Sequence, residues 1–153
     1  MARNETSIEI TRVIDAPAKE IFEVLSNPER HAEIDNTGTV VSDEKSNRIS
    51  GSGDTFTMNM NAESQGGDYK MVNTVVGFDQ NKLIAWQPAP EGGEPGGWTW
   101  RYTLNSLDQS STEVTLAYDW SHVSDPKLAS MFPVFEESVL EGSLNNLAAA
   151  VAG

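Results

Sequence analysis

The sequence has no cysteine, few basic residues and no long apolar run, and each absence excludes a class of protein. Without cysteine there is no disulfide, thiolate metal site or cysteine nucleophile. Ten Lys and Arg against 23 Asp and Glu give a net charge of −13, which argues against nucleic acid and anionic membranes as partners. No stretch approaches the ~20 apolar residues of a spanning helix, and no signal-peptide core follows the N-terminus. We therefore expect a cytoplasmic protein without membrane insertion.

Several catalytic and binding motifs are also missing. No G-x-S-x-G nucleophile motif occurs, and the glycine pairs at 51–53 and 92–93 lack the lysine of a phosphate-binding loop. The two histidines, His31 and His122, stand far apart, whereas a metal site needs at least three converging ligands. The sequence predicts neither a metal site nor a cofactor.

The 153 residues suit one domain, 1–153, with an ordinary globular share of 38% hydrophobic residues. Turn signals at spacings of roughly 8–12 residues predict an antiparallel sheet rather than βαβ units. Seven strands are predicted, at 7–14, 37–43, 54–61, 69–78, 83–87, 98–107 and 112–120. The Pro- and Gly-rich stretch 88–97 is predicted to be a loop.

Helical periodicity appears after the first strand and at the C-terminal end. Asp15 and Pro17 favour a helix start, and Asn27-Pro28 ends that helix and opens a short second one. A short helical segment is predicted from Pro126, and a long helix with a broad apolar stripe from Pro133. The combination predicts an α+β fold.

The last two predicted strands carry their large residues on one face. Trp98, Trp100 and Tyr102 alternate with Thr99 and Arg101, and the strand from Thr112 to Trp120 repeats this pattern. A strongly bent sheet around one helix often cannot be filled by its own side chains, so an apolar cavity with a few polar anchors is expected. A solid core is the alternative for each aromatic residue.

Four stretches resemble the START/birch-pollen-allergen-like (SRPBCC) superfamily, and in particular its bacterial polyketide cyclase/dehydrase-like members. They are Ile14-Asp-Ala-Pro-Ala-Lys-Glu-Ile-Phe-Glu-Val-Leu-Ser-Asn-Pro, His31-Ala-Glu-Ile-Asp-Asn-Thr-Gly-Thr-Val, Gly97-Trp-Thr-Trp-Arg-Tyr and Val114-Thr-Leu-Ala-Tyr-Asp-Trp-Ser. The resemblance covers nearly the whole chain. It implies a helix-grip fold, in which a seven-stranded curved antiparallel sheet wraps around a long C-terminal helix, with two short helices after the first strand.

The resemblance also implies a deep cavity that binds hydrophobic or amphipathic small molecules. The side chains expected to bind such a ligand are Arg12, Phe56, Met58, Met71, Trp86, Trp98, Trp100, Tyr102, Tyr118, Trp120, Phe132 and Phe135. Arg12 would anchor a ligand carboxylate, because guanidinium binds such groups bidentately, and surface ion pairing is its alternative role.

His31 and Asp35 are the candidate catalytic residues. They stand four residues apart, and a histidine oriented by a carboxylate supports general acid–base chemistry near neutral pH. The alternative is structural, with His31 closing the short helix and Asp35 holding a turn. A second pair, Asp119 and His122, is interpreted as a surface loop.

Three functions stay open at this point. The first is non-covalent binding of a hydrophobic or amphipathic small molecule. The second is a polyketide cyclase/dehydrase-like enzyme that uses acid–base groups at the cavity, and the third is a protein-interaction module related to chaperone activators. An exposed strand edge or the C-terminal helix would also suit a homodimer.

Overall fold

The strands of the chain form one antiparallel sheet in the computed structural model, which describes residues 2–3 and 6–152. Within these residues the sheet has eight strands in the order β1-β2-β8-β7-β6-β5-β4-β3. Their bounds are β1 Ala2–Arg3, β2 Ser7–Ile14, β3 Val40–Asp43, β4 Thr55–Ala62, β5 Gly67–Asp79, β6 Leu83–Pro90, β7 Thr99–Asp108 and β8 Ser111–Asp119. The seven predicted strands are confirmed, and β1 adds a two-residue strand at one edge.

Strand β6 runs further than the sequence predicts. The stretch from Pro88 was expected to be a loop, but β6 ends at Pro90, with Pro88 opposite Asn73 and Pro90 opposite Met71 of β5. On its other side, β6 pairs with β7 only from Leu83 to Trp86. The prolines therefore occupy an unpaired edge, where a missing backbone N–H breaks no ladder.

Four α-helices lie in the described part of the chain. They are α1 Ala18–Leu25, α2 His31–Ile34, α3 Pro126–Ala129 and α4 Glu137–Ala152, and a 3-10 turn, Pro28–Arg30, precedes α2. The two short helices after the first long strand are as predicted. The long helix begins at Glu137 rather than at Pro133. Residues 131–136 are not helical, and they run along one side of a cavity. Among these helices none is long and apolar enough to cross a bilayer.

The core lies where α1 and α4 pack against the sheet. Buried residues of alternate positions in β2 and β8 meet buried residues of both helices, which is the pattern of a sheet that is apolar on one face. The members of this core include Ile8, Ile10, Ile21, Phe22, Leu25, Val114, Leu116, Leu140, Leu144 and Leu147. The register pairs Trp100 with Tyr118 and Tyr102 with Leu116, so the predicted large face of β7 and β8 is confirmed.

Candidate ligand-binding cavity

A cavity of about 780 Å³ lies between the sheet, α2, α4 and the segment 128–135. Its walls come from β4 to β8, whose inward residues alternate along each strand. Exposed residues of the β4–β5 turn, of the β6–β7 loop and of the segment 128–135 line its outer part; they are Ser64, Gln65, Glu91, Glu94, Met131 and Val134. The predicted cavity is therefore present, on the part of the sheet that α4 leaves uncovered.

Trp86 is the centre of one aromatic cluster in the wall. Its ring stacks on His31 at 5.0 Å between centroids and on Tyr102 at 5.9 Å, with 29° between the planes in both pairs. Phe56 meets the edges of His31 and Trp86 at 5.1 and 5.6 Å. Offset and edge-on pairs of this kind hold rings in fixed orientations.

A second aromatic cluster forms where β7 and β8 meet the segment 128–135. The rings of Trp100 and Tyr118 are nearly parallel, 8° apart, with centroids at 4.2 Å. Phe132 packs against Trp98 at 5.6 Å, and Phe135 packs against Trp100 at 6.0 Å. This packing places the two phenylalanines at the cavity wall although they precede α4.

His31 is buried in the wall, with 5% of its surface exposed. Its Nε2 lies 2.7 Å from the carbonyl oxygen of Leu25. A carbonyl only accepts, so Nε2 carries the proton and a neutral ring keeps Nδ1 as an acceptor. Desolvation by burial lowers the pKa of His31, against weaker opposing effects of the Leu25 bond and the Asp43 charge. The neutral imidazole is therefore favoured.

Asp35 is half-buried at the end of α2. Its Oδ2 accepts the backbone N–H of Thr37 at 2.9 Å and the Thr37 hydroxyl at 2.6 Å. Burial raises the pKa of Asp35, while these two bonds oppose the rise. Asp35 and His31 both line the cavity, but among the described residues their side chains share no hydrogen bond. Only the helix backbone joins them, through the Asp35 N–H and the His31 carbonyl.

Tyr102 and Asn73 add polar groups to the same wall. Tyr102 is 4% exposed. Its burial, and to a smaller extent the negative charge of Asp35, raises the pKa of its hydroxyl. Asn73 is 5% exposed and lies opposite Phe56, to whose carbonyl its side-chain N–H donates at 3.4 Å. Asn73 was not among the residues predicted from the sequence. A polar residue at an inward position of a strand is the signal that identifies it, once the register is known.

Most of the predicted site residues surround this cavity. Those that line it are His31, Asp35, Phe56, Met58, Met71, Trp86, Trp98, Trp100, Tyr102, Tyr118, Phe132 and Phe135. Thr37, Thr39, Met60 and Tyr69 line it as well and were not among the predicted ligand-binding residues. A role in ligand binding remains a prediction for each of them.

Two of the predicted ligand-binding residues, Arg12 and Trp120, do not line this cavity. Arg12 does not reach the cavity, because its side chain is exposed on the first long strand, β2, and its Nη1 donates to Asn145 of α4 at 2.5 Å. Trp120 is buried, but its ring packs on Phe132 at 6.0 Å and takes no part in the cavity lining. The partner of the guanidinium is an uncharged amide oxygen, so this hydrogen bond is not the surface ion pair that was the alternative role of Arg12.

The second histidine lies away from the cavity. His122 is exposed in the loop after β8, and Asp119 accepts the backbone N–H of Ser121 at 2.8 Å. This matches the interpretation of the pair as a surface loop. Over residues 2–3 and 6–152, no three His, Asp or Glu side chains gather as metal ligands.

Residues 5–152 match the family described as "Polyketide cyclase / dehydrase and lipid transport". The chain belongs to this family. Two uncharacterised Mycobacterium tuberculosis proteins, Rv0088 (strain ATCC 25618 / H37Rv) and MT0096 (strain CDC 1551 / Oshkosh), are each 31% identical over 107 residues. The match covers 70% of this chain and 44% of either relative, so the chain spans less than half the length of these relatives.

Solved structures of the family's fold superimpose over nearly all of the chain. The Zhui aromatase/cyclase from Streptomyces sp. R1128 has a TM-score of 0.67 at 18% identity, covering 95% of this chain and 93% of that one. A protein from Arthrobacter aurescens has a TM-score of 0.74 at 14% identity, covering 99% and 90%. The di-domain ARO/CYC StfQ of the steffimycin biosynthetic pathway scores 0.61 at 19% identity, covering 94% of this chain and 44% of that one. The helix-grip fold is thereby confirmed.

Proposed function

We propose that this protein binds a hydrophobic or amphipathic small molecule in the cavity. The observation that carries the proposal is the cavity itself, with its volume of about 780 Å³ and its two aromatic clusters. Ligand pockets in proteins usually measure about 300–1,000 Å³ and combine apolar walls with a few polar groups. The family description, which includes lipid transport, supports this reading.

Titration with an uncharged environment-sensitive dye, N-phenyl-naphthylamine, tests the proposal. We expect saturable enhancement of dye emission with one site per chain, because the apolar walls shield the dye from water. Met71→Trp should weaken binding at least about tenfold, because the larger side chain occupies cavity volume.

Val72→Trp is the matched control. Val72 is the next residue of β5, points to the other face of the sheet and does not line the cavity. Dye binding that is absent, unsaturable or weakened equally by both variants would contradict the proposal.

Acid–base catalysis on a polyketide-like or aromatic compound is the second candidate function. The neutral His31 favours it, because its Nδ1 is an acceptor at the cavity wall and has no hydrogen-bond partner among the described residues. A panel of aromatic polyketide-like compounds should then be turned over by the wild type and not by His31→Gln. If the wild type binds these compounds without turnover, catalysis is refuted and small-molecule binding is the function that remains. The third alternative, a protein-interaction module, would be favoured by a filled core with an exposed apolar patch, and the open cavity of about 780 Å³ gives it no comparable support.

A further inference from the structure

Three polar side chains of the cavity wall are more than nine-tenths buried and keep unused hydrogen-bonding capacity. They are His31, Asn73 and Tyr102, which are 5%, 5% and 4% exposed. Within the described chain, no hydrogen bond ends at Nδ1 of His31, at Oδ1 of Asn73 or at the Tyr102 hydroxyl. Among the described residues, the side-chain atom that is sealed from solvent without a partner is Asp43 Oδ1, so these three unpartnered atoms are reached from the cavity, and a partner from the cavity is expected.

These three side chains lie around the same pair of rings. His31 and Tyr102 both stack on Trp86, and Asn73 is the cross-strand partner of Phe56, which touches both His31 and Trp86. Together they offer acceptors, at Nδ1 and the amide oxygen, and donors, at the amide and the phenol. A ligand group that both donates and accepts satisfies such a set.

The charged residues of the cavity argue against an anionic ligand. Asp35, Glu91 and Glu94 line it. A carboxyl group is negative when ionised and neutral when protonated, so none of the three attracts an anion. Among the described residues that line the cavity, the only Lys or Arg is Lys70, and Glu44 holds it, with Nζ and Oε1 2.5 Å apart. Arg12, the predicted carboxylate anchor, lies elsewhere. A buried carboxylate without a cationic partner is costly, so anions are disfavoured.

We propose that His31, Asn73 and Tyr102 form a polar subsite for an uncharged hydroxyl or carbonyl group, so that the cavity selects neutral ligands over carboxylates. This inference rests on the proposed function and names the ligand class. An ammonium group only donates hydrogen bonds, so it would leave the second side-chain N–H of Asn73 and the O–H of Tyr102 without an acceptor.

Calorimetric titration with four matched naphthalenes tests the subsite. The compounds carry a methyl, hydroxymethyl, carboxylate or aminomethyl group at the same ring position. We expect the alcohol to bind at least about tenfold more tightly than the carboxylate at neutral pH, and more tightly than the hydrocarbon. Equal affinity for alcohol and carboxylate, or tightest binding of the amine, would overturn the inference.

Conservative variants assign any preference to these residues. Tyr102→Phe and Asn73→Leu should each weaken alcohol binding about three- to tenfold and leave hydrocarbon binding nearly unchanged, as expected for one lost hydrogen bond. The matched control is Tyr118→Phe, which removes a phenol of the second aromatic cluster, outside the proposed subsite, so its loss should affect alcohol and hydrocarbon alike.

The two proposals fail in different ways. If neither the hydrocarbon nor the dye binds, the proposed function fails. If both bind but Tyr102→Phe and Asn73→Leu lose hydrocarbon and alcohol affinity equally, only the polar subsite is refuted.

Discussion

His31 has two ring nitrogens in different surroundings. Nε2 is fixed by the Leu25 carbonyl, and Nδ1 is left at the cavity wall. The same burial that orients the ring lowers its pKa, so the folded protein resists protonation there. The protonation state of this one side chain therefore links the cavity wall to the pH of the solution.

The pH dependence of stability should report this burial. Below the unfolded pKa of about 6.5 the unfolded chain binds a proton that folded His31 does not, so the contribution of His31 to stability is present above that pH and is lost as the pH falls. We expect the free energy of unfolding of the wild type, relative to His31→Gln, to fall by up to about 1.4 kcal/mol per pH unit below that value. Urea unfolding across the acid range measures the difference.

The opposite effect of Asp35 does not disturb that comparison. Burial raises the pKa of Asp35, which favours the folded state at lower pH, but both proteins contain Asp35 and the effect cancels in the difference. His122→Gln controls for removal of an imidazole from the surface. A wild-type advantage that stays constant with pH would contradict the burial argument.

Single-residue chemistry was only partly predictable. His31 and Asp35 were identified from their spacing and both line the cavity, but the spacing does not show that Leu25 and Thr37 are their partners. Asn73 was missed because an Asn in a strand of mixed residues gives no sign of which face it occupies. Register, which depends on pairing between distant strands, decides this.

At the scale of elements, Gly142 allows the loop after α2 to lie on α4. Asn36 donates its backbone N–H to the Ser143 hydroxyl at 2.9 Å and its side-chain N–H to the Val139 carbonyl at 3.3 Å. A Cβ at position 142 would overlap the Asn36 amide, with Cγ at 2.6 Å. The contact fixes the residue next to Asp35, and so one side of the cavity.

Gly142→Ala should therefore destabilise the protein, although the same change in an exposed helix normally stabilises by up to about 1 kcal/mol. Displacing the Asn36 side chain breaks its hydrogen bond to the Val139 carbonyl and crowds its Cβ at 3.2 Å, for which we expect a net loss of about 1 kcal/mol and weaker dye binding. Urea unfolding gives the first quantity and dye titration the second. Ala149→Gly, at an exposed position of the same helix, calibrates the propensity effect. A Gly142→Ala protein that is more stable than the wild type would show that the Asn36 contact does not contribute to the free energy of unfolding.

At the scale of the whole molecule, charge is unbalanced. Ten basic side chains cannot neutralise all 23 carboxylates. The ion pairs among described side chains include Arg30–Glu33 and Arg48–Glu23, and both are partly exposed, so each contributes little. The excess negative charge disfavours the compact state through self-repulsion.

Salt should accordingly stabilise the protein. Between about 0.01 and 1 M NaCl the Debye length falls from about 30 to 3 Å, which screens repulsion between surface carboxylates. We expect the thermal midpoint to rise by several degrees, as measured by circular dichroism, and to rise less in a variant with Glu63→Lys, an exposed acid of the β4–β5 turn. A midpoint that falls with salt would mean that surface ion pairs outweigh the repulsion.

Local sequence patterns were enough for the fold class, for seven of the eight strands in the described residues and for the two short helices after the first long strand. Local alternation and turn residues follow from side-chain periodicity, which is a property of neighbouring residues, and they located all seven predicted strands and the aromatic face of β7 and β8. The tertiary structure was needed to show that Arg12 stays at the surface and that Asn73 lines the same cavity as His31 and Tyr102. These facts depend on which distant strands pair and in what register, and on the space that one helix leaves uncovered on a curved sheet, and no local pattern encodes either.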